Sequence, residues 1–315
     1  GQHRALGLQE KTGSHTALSL SARALVETIG HTPLLHLPSP DPRVEILGKA
    51  EWLNPGGSVK DRTAWSIIRE GLWAGGLADR SLLDASSGNT AIAYAMIGAA
   101  VGFEVTLCVP ENASRERLKT LDAFGARLVL TDPLEGTDGS ILEARRLAKA
   151  APDRYWYADQ YSNPGNWRAH YEGTALEIWQ QSGGSVTHFV AGLGTTGTLI
   201  GTGRRLRELD HRVRVIAVEP LEALHGIEGL KNLDSALRPA IYDPTVADER
   251  IGISTEESQS WAQRLARESG LFVGTSSGAA YAACIRVARR LEAGTIVTVL
   301  PDGGDRYLSS GASGP

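Results

Sequence analysis

A chain of 315 residues is longer than one small domain, and at roughly 150 residues per domain it suggests two. With 42% hydrophobic and 22% charged residues, its composition excludes disordered, collagen-like and disulfide-scaffold proteins. A net charge of −4 excludes a generally basic nucleic-acid binder, and the longest apolar run, residues 91–103, is too short to span a bilayer.

Residues 1–19 read as a flexible N-terminal arm or an expression remnant, with no signal peptide. From Leu20 onward, strand-length apolar runs alternate with helix-length amphipathic segments. A strand over Glu45–Lys49 precedes a helix over Lys60–Glu70. Strands over Leu82–Asp84, Glu104–Val109 and Arg127–Leu130 alternate with helices over Thr90–Val101, Ser114–Phe124 and Ser140–Ala150. Turn formers gather at Asp159–Asn166, where a domain break is expected. Beyond it, strands over His188–Ala191, Val213–Val218 and Thr295–Leu300 alternate with helices over Thr198–Glu208, Thr255–Ser269 and Gly278–Ala293. This alternation predicts an α/β fold with mainly parallel, twisted sheets flanked by helices. The only cysteines, Cys108 and Cys284, read as buried small hydrophobes, and their scarcity suits a cytoplasmic chain. The histidines lack metal-ligand spacing, so no metal site is expected.

Four loops rich in Gly, Ser, Thr and Asn lead into expected helices: 54–62, 86–90, 192–198 and 274–278. Any one of them reads equally as helix capping. Together, at the carboxyl ends of parallel strands, they point to one anionic ligand, because a helix N-terminus offers unpaired N–H donors. Gly192, Gly194 and Gly197 also fit a dinucleotide fingerprint, with Glu219 as the ribose partner, so a nicotinamide-dependent oxidoreductase stays open on pattern alone. Against it, Thr195, Thr196 and Thr198 crowd that loop with hydroxyls that suit a single compact phosphate. Lys60 is the one lysine in a Gly-rich turn at an expected helix start. It is either an exposed first-turn residue paired with Asp61 or a desolvated amine nucleophile.

Asn-Pro-Gly-Gly-Ser-Val-Lys60-Asp-Arg, Ser86-Ser-Gly-Asn-Thr90, Gly194-Thr-Thr-Gly-Thr198 and Thr275-Ser-Ser-Gly-Ala279 occur in the order found in fold-type-II pyridoxal-phosphate (PLP) enzymes. The chain resembles the cysteine synthase and cystathionine β-synthase family from Gly30-His-Thr-Pro33 to Pro301-Asp-Gly-Gly-Asp-Arg-Tyr-Leu308, including Gln160-Tyr-Ser-Asn-Pro164. The resemblance implies two α/β domains with pyridoxal 5′-phosphate in the cleft between them. The smaller would span 46–160, and the larger 20–45 plus 161–315.

By the same resemblance, Lys60 is the Schiff-base lysine and general base, and Asn89 bonds the cofactor's phenolic oxygen. Gly194, Thr195, Thr196, Gly197 and Thr198 hold its phosphate, and Ser276 faces the pyridine nitrogen. Ser86, Ser87, Thr90 and Gln160 grip the substrate's α-carboxylate. The implied reaction is β-replacement through an aminoacrylate, giving L-cysteine from an activated serine and a sulfur donor. Homocysteine, an amine or cyanide remains open as the nucleophile. Thr196 stands where acetylserine-using members usually carry Gly, and the 188–203 flanks resemble phosphoserine-using members. Lys231, in 225–232, is either a solvated loop lysine or a cation for a phosphate leaving group, which favours O-phosphoserine slightly over O-acetylserine. In those members a thiocarboxylated small carrier protein supplies sulfur in place of sulfide. A homodimer is also implied by family alone.

Overall fold

The computed structural model describes residues 17–86 and 88–310. In chain order it begins with α1 (Leu20–Val26), β1 (Leu34–Leu37), β2 (Val44–Ala50), α2 (Lys60–Trp73), β3 (Ser81–Ala85) and α3 (Asn89–Val101). Then follow β4 (Val105–Pro110), α4 (Arg115–Ala123), β5 (Arg127–Thr131), α5 (Gly136–Ala150) and β6 (Tyr155–Tyr157). A helix α6 (Pro164–Ala169) continues through a π-helical stretch, His170–Thr174, into α7 (Ala175–Gln181). The remainder is β7 (His188–Gly192), α8 (Gly197–Leu209), β8 (Arg214–Pro220), β9 (Glu249–Ile253), α9 (Thr255–Ser269), α10 (Thr275–Ala288) and β10 (Gly294–Leu300).

These elements form two units, residues 17–29 with 60–165, and 30–59 with 166–310. The first holds a four-stranded sheet in the order β5-β4-β3-β6, all parallel. Every residue of β3 and β4 is buried, as expected of strands covered on both faces. Helix α3 is correspondingly apolar nearly all round, and Tyr94, Ile97 and Val101 pack with Ile67, Leu82 and Leu107. The second unit holds a six-stranded sheet in the order β1-β2-β10-β7-β8-β9, in which only β1 runs antiparallel to its neighbour. Helix α10 buries Ala279, Tyr281, Ala283 and Cys284 against Ile46, Val190 and Ile296 of that sheet. The expected α/β class with mainly parallel sheets is what the chain adopts.

The units divide elsewhere than at 46 and 160. All of β2 belongs to the larger unit, because Val44–Ala50 pairs along its whole length with Gly294–Leu300. Helix α1 belongs to the smaller unit, where Ala22 is fully buried in the α2–α3 core. Residues 1–16 of the expected arm lie outside the described residues. Both cysteines are buried, and burial pushes each thiol up to about 12. Among the described residues no helix is long and apolar enough to cross a membrane.

Candidate active site

The turn before Lys60 is held by a buried polar chain. Lys49 on β2 has no exposed surface, and its Nζ donates to the Thr32 carbonyl at 2.7 Å, Glu177 Oε1 at 2.7 Å and Gln181 Oε1 at 2.9 Å. The Thr32 hydroxyl donates to the Glu51 carboxylate at 2.5 Å. Asn54 Nδ2 donates to the Glu51 carbonyl at 2.9 Å, while Asn54 Oδ1 accepts from the Gly30 N–H at 2.7 Å. At the other end of the turn the Val59 N–H donates to the Pro301 carbonyl at 2.9 Å. Lys60 comes next as the first residue of α2, half-buried, and desolvation lowers its ammonium from 10.5 to about 8.

In the same unit as Lys60, β3 ends at Ala85 and hands over to α3. Ser86 Oγ accepts from the N–H groups of Gly88 and Ala91, each at 3.1 Å, and so satisfies donors at the start of α3 while keeping its own proton to donate. Asn89 and Thr90 occupy the first two positions of the helix, the former half-buried and the latter buried. Ser87 lies outside the described residues. Gln160 is buried beside this loop, with Nε2 donating to the Ala85 carbonyl at 2.8 Å. The unit therefore brings Ser86, Asn89, Thr90 and Gln160 to the carboxyl end of β3, where open parallel sheets bind ligands.

The other unit repeats this logic at β7. Thr195, Thr196, Gly197 and Thr198 follow the strand and open α8, where the N-cap residue Thr196 supplies no side-chain bond and the Gly197 N–H reaches Thr195 Oγ1 at 3.5 Å. Thr196 sits in the left-handed region at φ +77°, a strained conformation for a β-branched residue, and its Oγ1 is buried with no hydrogen-bond partner. Thr195 Oγ1 accepts from Asn166 Nδ2 at 2.9 Å, and Thr198 Oγ1 lies 3.4 Å from His170 Nε2. Two glycines are required by close approach: a Cβ on Gly194 would overlap the Gly229 carbonyl oxygen, and one on Gly197 the Asn166 carboxamide. Lys231 belongs to the segment pressed on Gly194. Its N–H donates to the Leu193 carbonyl at 2.7 Å, and its side chain is half-buried. Ser276, buried, lies in the uncapped first turn of α10, next to Ser277, whose Oγ also lacks a partner. Glu219, the ribose partner required by a dinucleotide site, is instead bonded to the Arg250 guanidinium at 2.6 Å. That ion pair takes up the carboxylate on which the nicotinamide alternative depends.

A family model described as pyridoxal-phosphate dependent enzyme matches residues 25–302. The chain belongs to that family. It is 50% identical over 309 residues to a cysteine synthase of Aquifex aeolicus, a match covering 95% of this chain and 94% of that protein. A cysteine synthase structure from Entamoeba histolytica superposes with a TM-score of 0.87 at 37% identity, covering 91% of this chain and 89% of that one. An O-acetylserine dependent cystathionine β-synthase from Helicobacter pylori gives 0.85 at 37% identity, over 90% of this chain and 96% of that one. The chain has the fold-type-II architecture, and PLP is the cofactor of this family member.

The residues present fit that cofactor. The α8 N-terminus, a buried Thr196 hydroxyl without a partner and two glycines against backbone or carboxamide form a cradle that a phosphate would complete. Two residues of the arrangement escape sequence reasoning. Asn166, which holds Thr195, sits in a string that reads as a turn; the signal available was Pro164, which suits the first position of a helix. Asp84 lies within the apolar run of β3, and only the rarity of a carboxylate in a fully buried strand marks it.

Proposed function

We propose that this PLP-dependent enzyme forms L-cysteine by β-replacement on an O-activated L-serine, with O-phosphoserine preferred to O-acetylserine. When bound, the cofactor supplies an electron sink that acidifies the substrate's Cα–H. Lys60 would carry the cofactor and then move that proton. Its lowered basicity leaves a sizeable neutral fraction near neutral pH, the form able to act as nucleophile or base. Asn89 would bond the cofactor's phenolic oxygen, and residues 194–198 its phosphate. Ser276 would face the ring nitrogen as a neutral hydroxyl. Such a partner does not enforce a protonated ring and suits loss of a β-substituent more than a long-lived carbanion. Ser86, Ser87, Thr90 and Gln160 would take the α-carboxylate.

The choice of leaving group is carried by Lys231, whose backbone bond to Leu193 seats its segment on the phosphate loop. A phosphate departing from the β-carbon gains from a nearby ammonium, whereas acetate gains little. Steady-state rates test this. Lys231→Ala is expected to lower kcat/KM for O-phosphoserine about tenfold and to leave O-acetylserine within about twofold. An equal loss on both substrates overturns the assignment. O-Acetylserine is the second reading, favoured by the name of the Helicobacter relative. A homodimer and a thiocarboxylated carrier protein as sulfur donor belong to the same proposal. Sedimentation tests the first, and rates with carrier against free sulfide test the second.

A further inference from the structure

The penultimate residue of β3 is a carboxylate among apolar neighbours. Asp84 has no exposed surface, and Leu82, Leu83 and Ala85 beside it are equally buried. Three donors converge on it: the Ala85 N–H on Oδ1 at 2.8 Å, and on Oδ2 the Tyr94 hydroxyl at 2.6 Å and the Gln160 N–H at 3.1 Å. No Lys, Arg or His is among its hydrogen-bond partners in the described residues. An ion buried without a counter-charge is expensive, so this carboxyl is poorly explained as a device for stability alone.

The donors come from three separate stretches of chain: the end of β3, the second turn of α3 and the turn after β6. That last turn is itself strained. Asp159 sits in the left-handed region at φ +48°, and its carbonyl accepts from the N–H groups of Ser162 and Asn163. A non-glycine residue stays in that region only where its surroundings over-determine it. Here Gln160, the next residue, is pinned at both ends, its N–H on Asp84 and its Nε2 on the Ala85 carbonyl.

We propose that Asp84 is a positioning residue for the amino-acid substrate: it ties Gln160 and α3 to the end of β3, so that Ser86, Thr90 and the Gln160 carboxamide offer one preset site to the α-carboxylate. The proposal rests on the reading of those residues as the carboxylate site. It predicts that losing Asp84 damages substrate capture while the chemistry carried by Lys60 is left intact.

Asp84→Asn in the holoenzyme keeps the volume but replaces one acceptor by an NH₂ donor, which in either orientation opposes an N–H or O–H group. The expected result is a KM for the activated serine raised about tenfold, with kcat within about twofold of wild type and the cofactor's absorption band retained. Tyr94→Phe, which leaves the carboxylate and removes one donor, is expected to raise KM about threefold. In the cofactor-free protein, hydrogen exchange at the Gln160 amide should speed up in Asp84→Asn while β4 keeps its protection. An unchanged KM in Asp84→Asn, or a loss confined to kcat, overturns the proposal. If that variant does not fold, an unchanged KM in Tyr94→Phe overturns it instead. Wild-type holoenzyme whose absorption spectrum fails to respond to any O-activated serine would remove the underlying reading of the loop, an outcome distinct from wild-type response with unaltered variants.

Discussion

An amine must shed its proton before it can attack a carbonyl, and at Lys60 burial has already shifted that balance, from 10.5 to about 8. The consequence is kinetic. The rate at which cofactor-free protein takes up PLP should rise with pH through about 8 and then level off, as followed by absorbance in a stopped-flow instrument. A rate that continued to climb toward pH 10.5, as for a solvated lysine, would contradict the desolvated environment assigned to it. The opposite case sits in the same unit. Burial pushes the Asp84 carboxyl up from 3.8 to about 7, although the Tyr94, Ala85 and Gln160 donors pull the other way and the Asp159 charge adds to the rise. Between pH 4 and 7 the native state therefore keeps a proton that the unfolded chain has lost, and stability contributed by this group declines as pH rises through that window. Denaturant titrations of wild type and Asp84→Asn should show the difference in stability moving in favour of the variant by up to about 1.4 kcal/mol per pH unit, and becoming flat above pH 7.

At the scale of the element, the helices that carry candidate site residues in each unit are finished in different ways. Helix α3 has its first turn closed by a side chain, Ser86 Oγ taking the Gly88 and Ala91 N–H groups at 3.1 Å; α8 has only the long bond from the Gly197 N–H to Thr195 Oγ1 at 3.5 Å, and α10 starts with no side-chain cap. Ser86→Ala should therefore cost about 1 kcal/mol in chemical denaturation, and Ser86→Thr, which keeps the oxygen, a few tenths at most. Equal stability of wild type and alanine variant would show that the hydroxyl contributes nothing to the helix. The same contrast explains what could be read from the chain. Long amphipathic segments such as 60–73 and 255–269 announce themselves by periodicity, the apolar 89–101 by its length, and the Gly-rich loops by composition. Strands β1, β6 and β9 do not: they have three to five residues, and Glu249–Ile253 carries Glu and Arg in a sheet-edge position. The helices over 164–181 were hidden by Asn163-Pro-Gly-Asn166, turn formers that here begin a helix because Pro164 has the φ a first helical residue needs. Asp84 could not be read because its role depends on Tyr94 and on Gln160, 76 positions away, which no local pattern joins to it.

At the scale of the whole molecule, the chain passes from one unit to the other at 29/30, 59/60 and 165/166. Lys60 and Asn166 are the first residues after two of these crossings. The larger unit carries a further consequence in the position of β10, the last strand in chain order among the described residues and yet an inner one, between β2 and β7. On the ribosome, residues 17–29 and 60–165 have every strand of their sheet available once position 165 has emerged. The β1–β2 hairpin instead waits for a partner 250 positions downstream, since Val44 pairs with Gly294. At ordinary synthesis rates that delay is on the order of 10–50 s, during which the apolar edge of β2 is unpaired and dependent on whatever shields nascent chains. Premature termination before Gly294 removes the middle of this sheet, leaving two fragments, β1-β2 and β7-β8-β9, with nothing to join them.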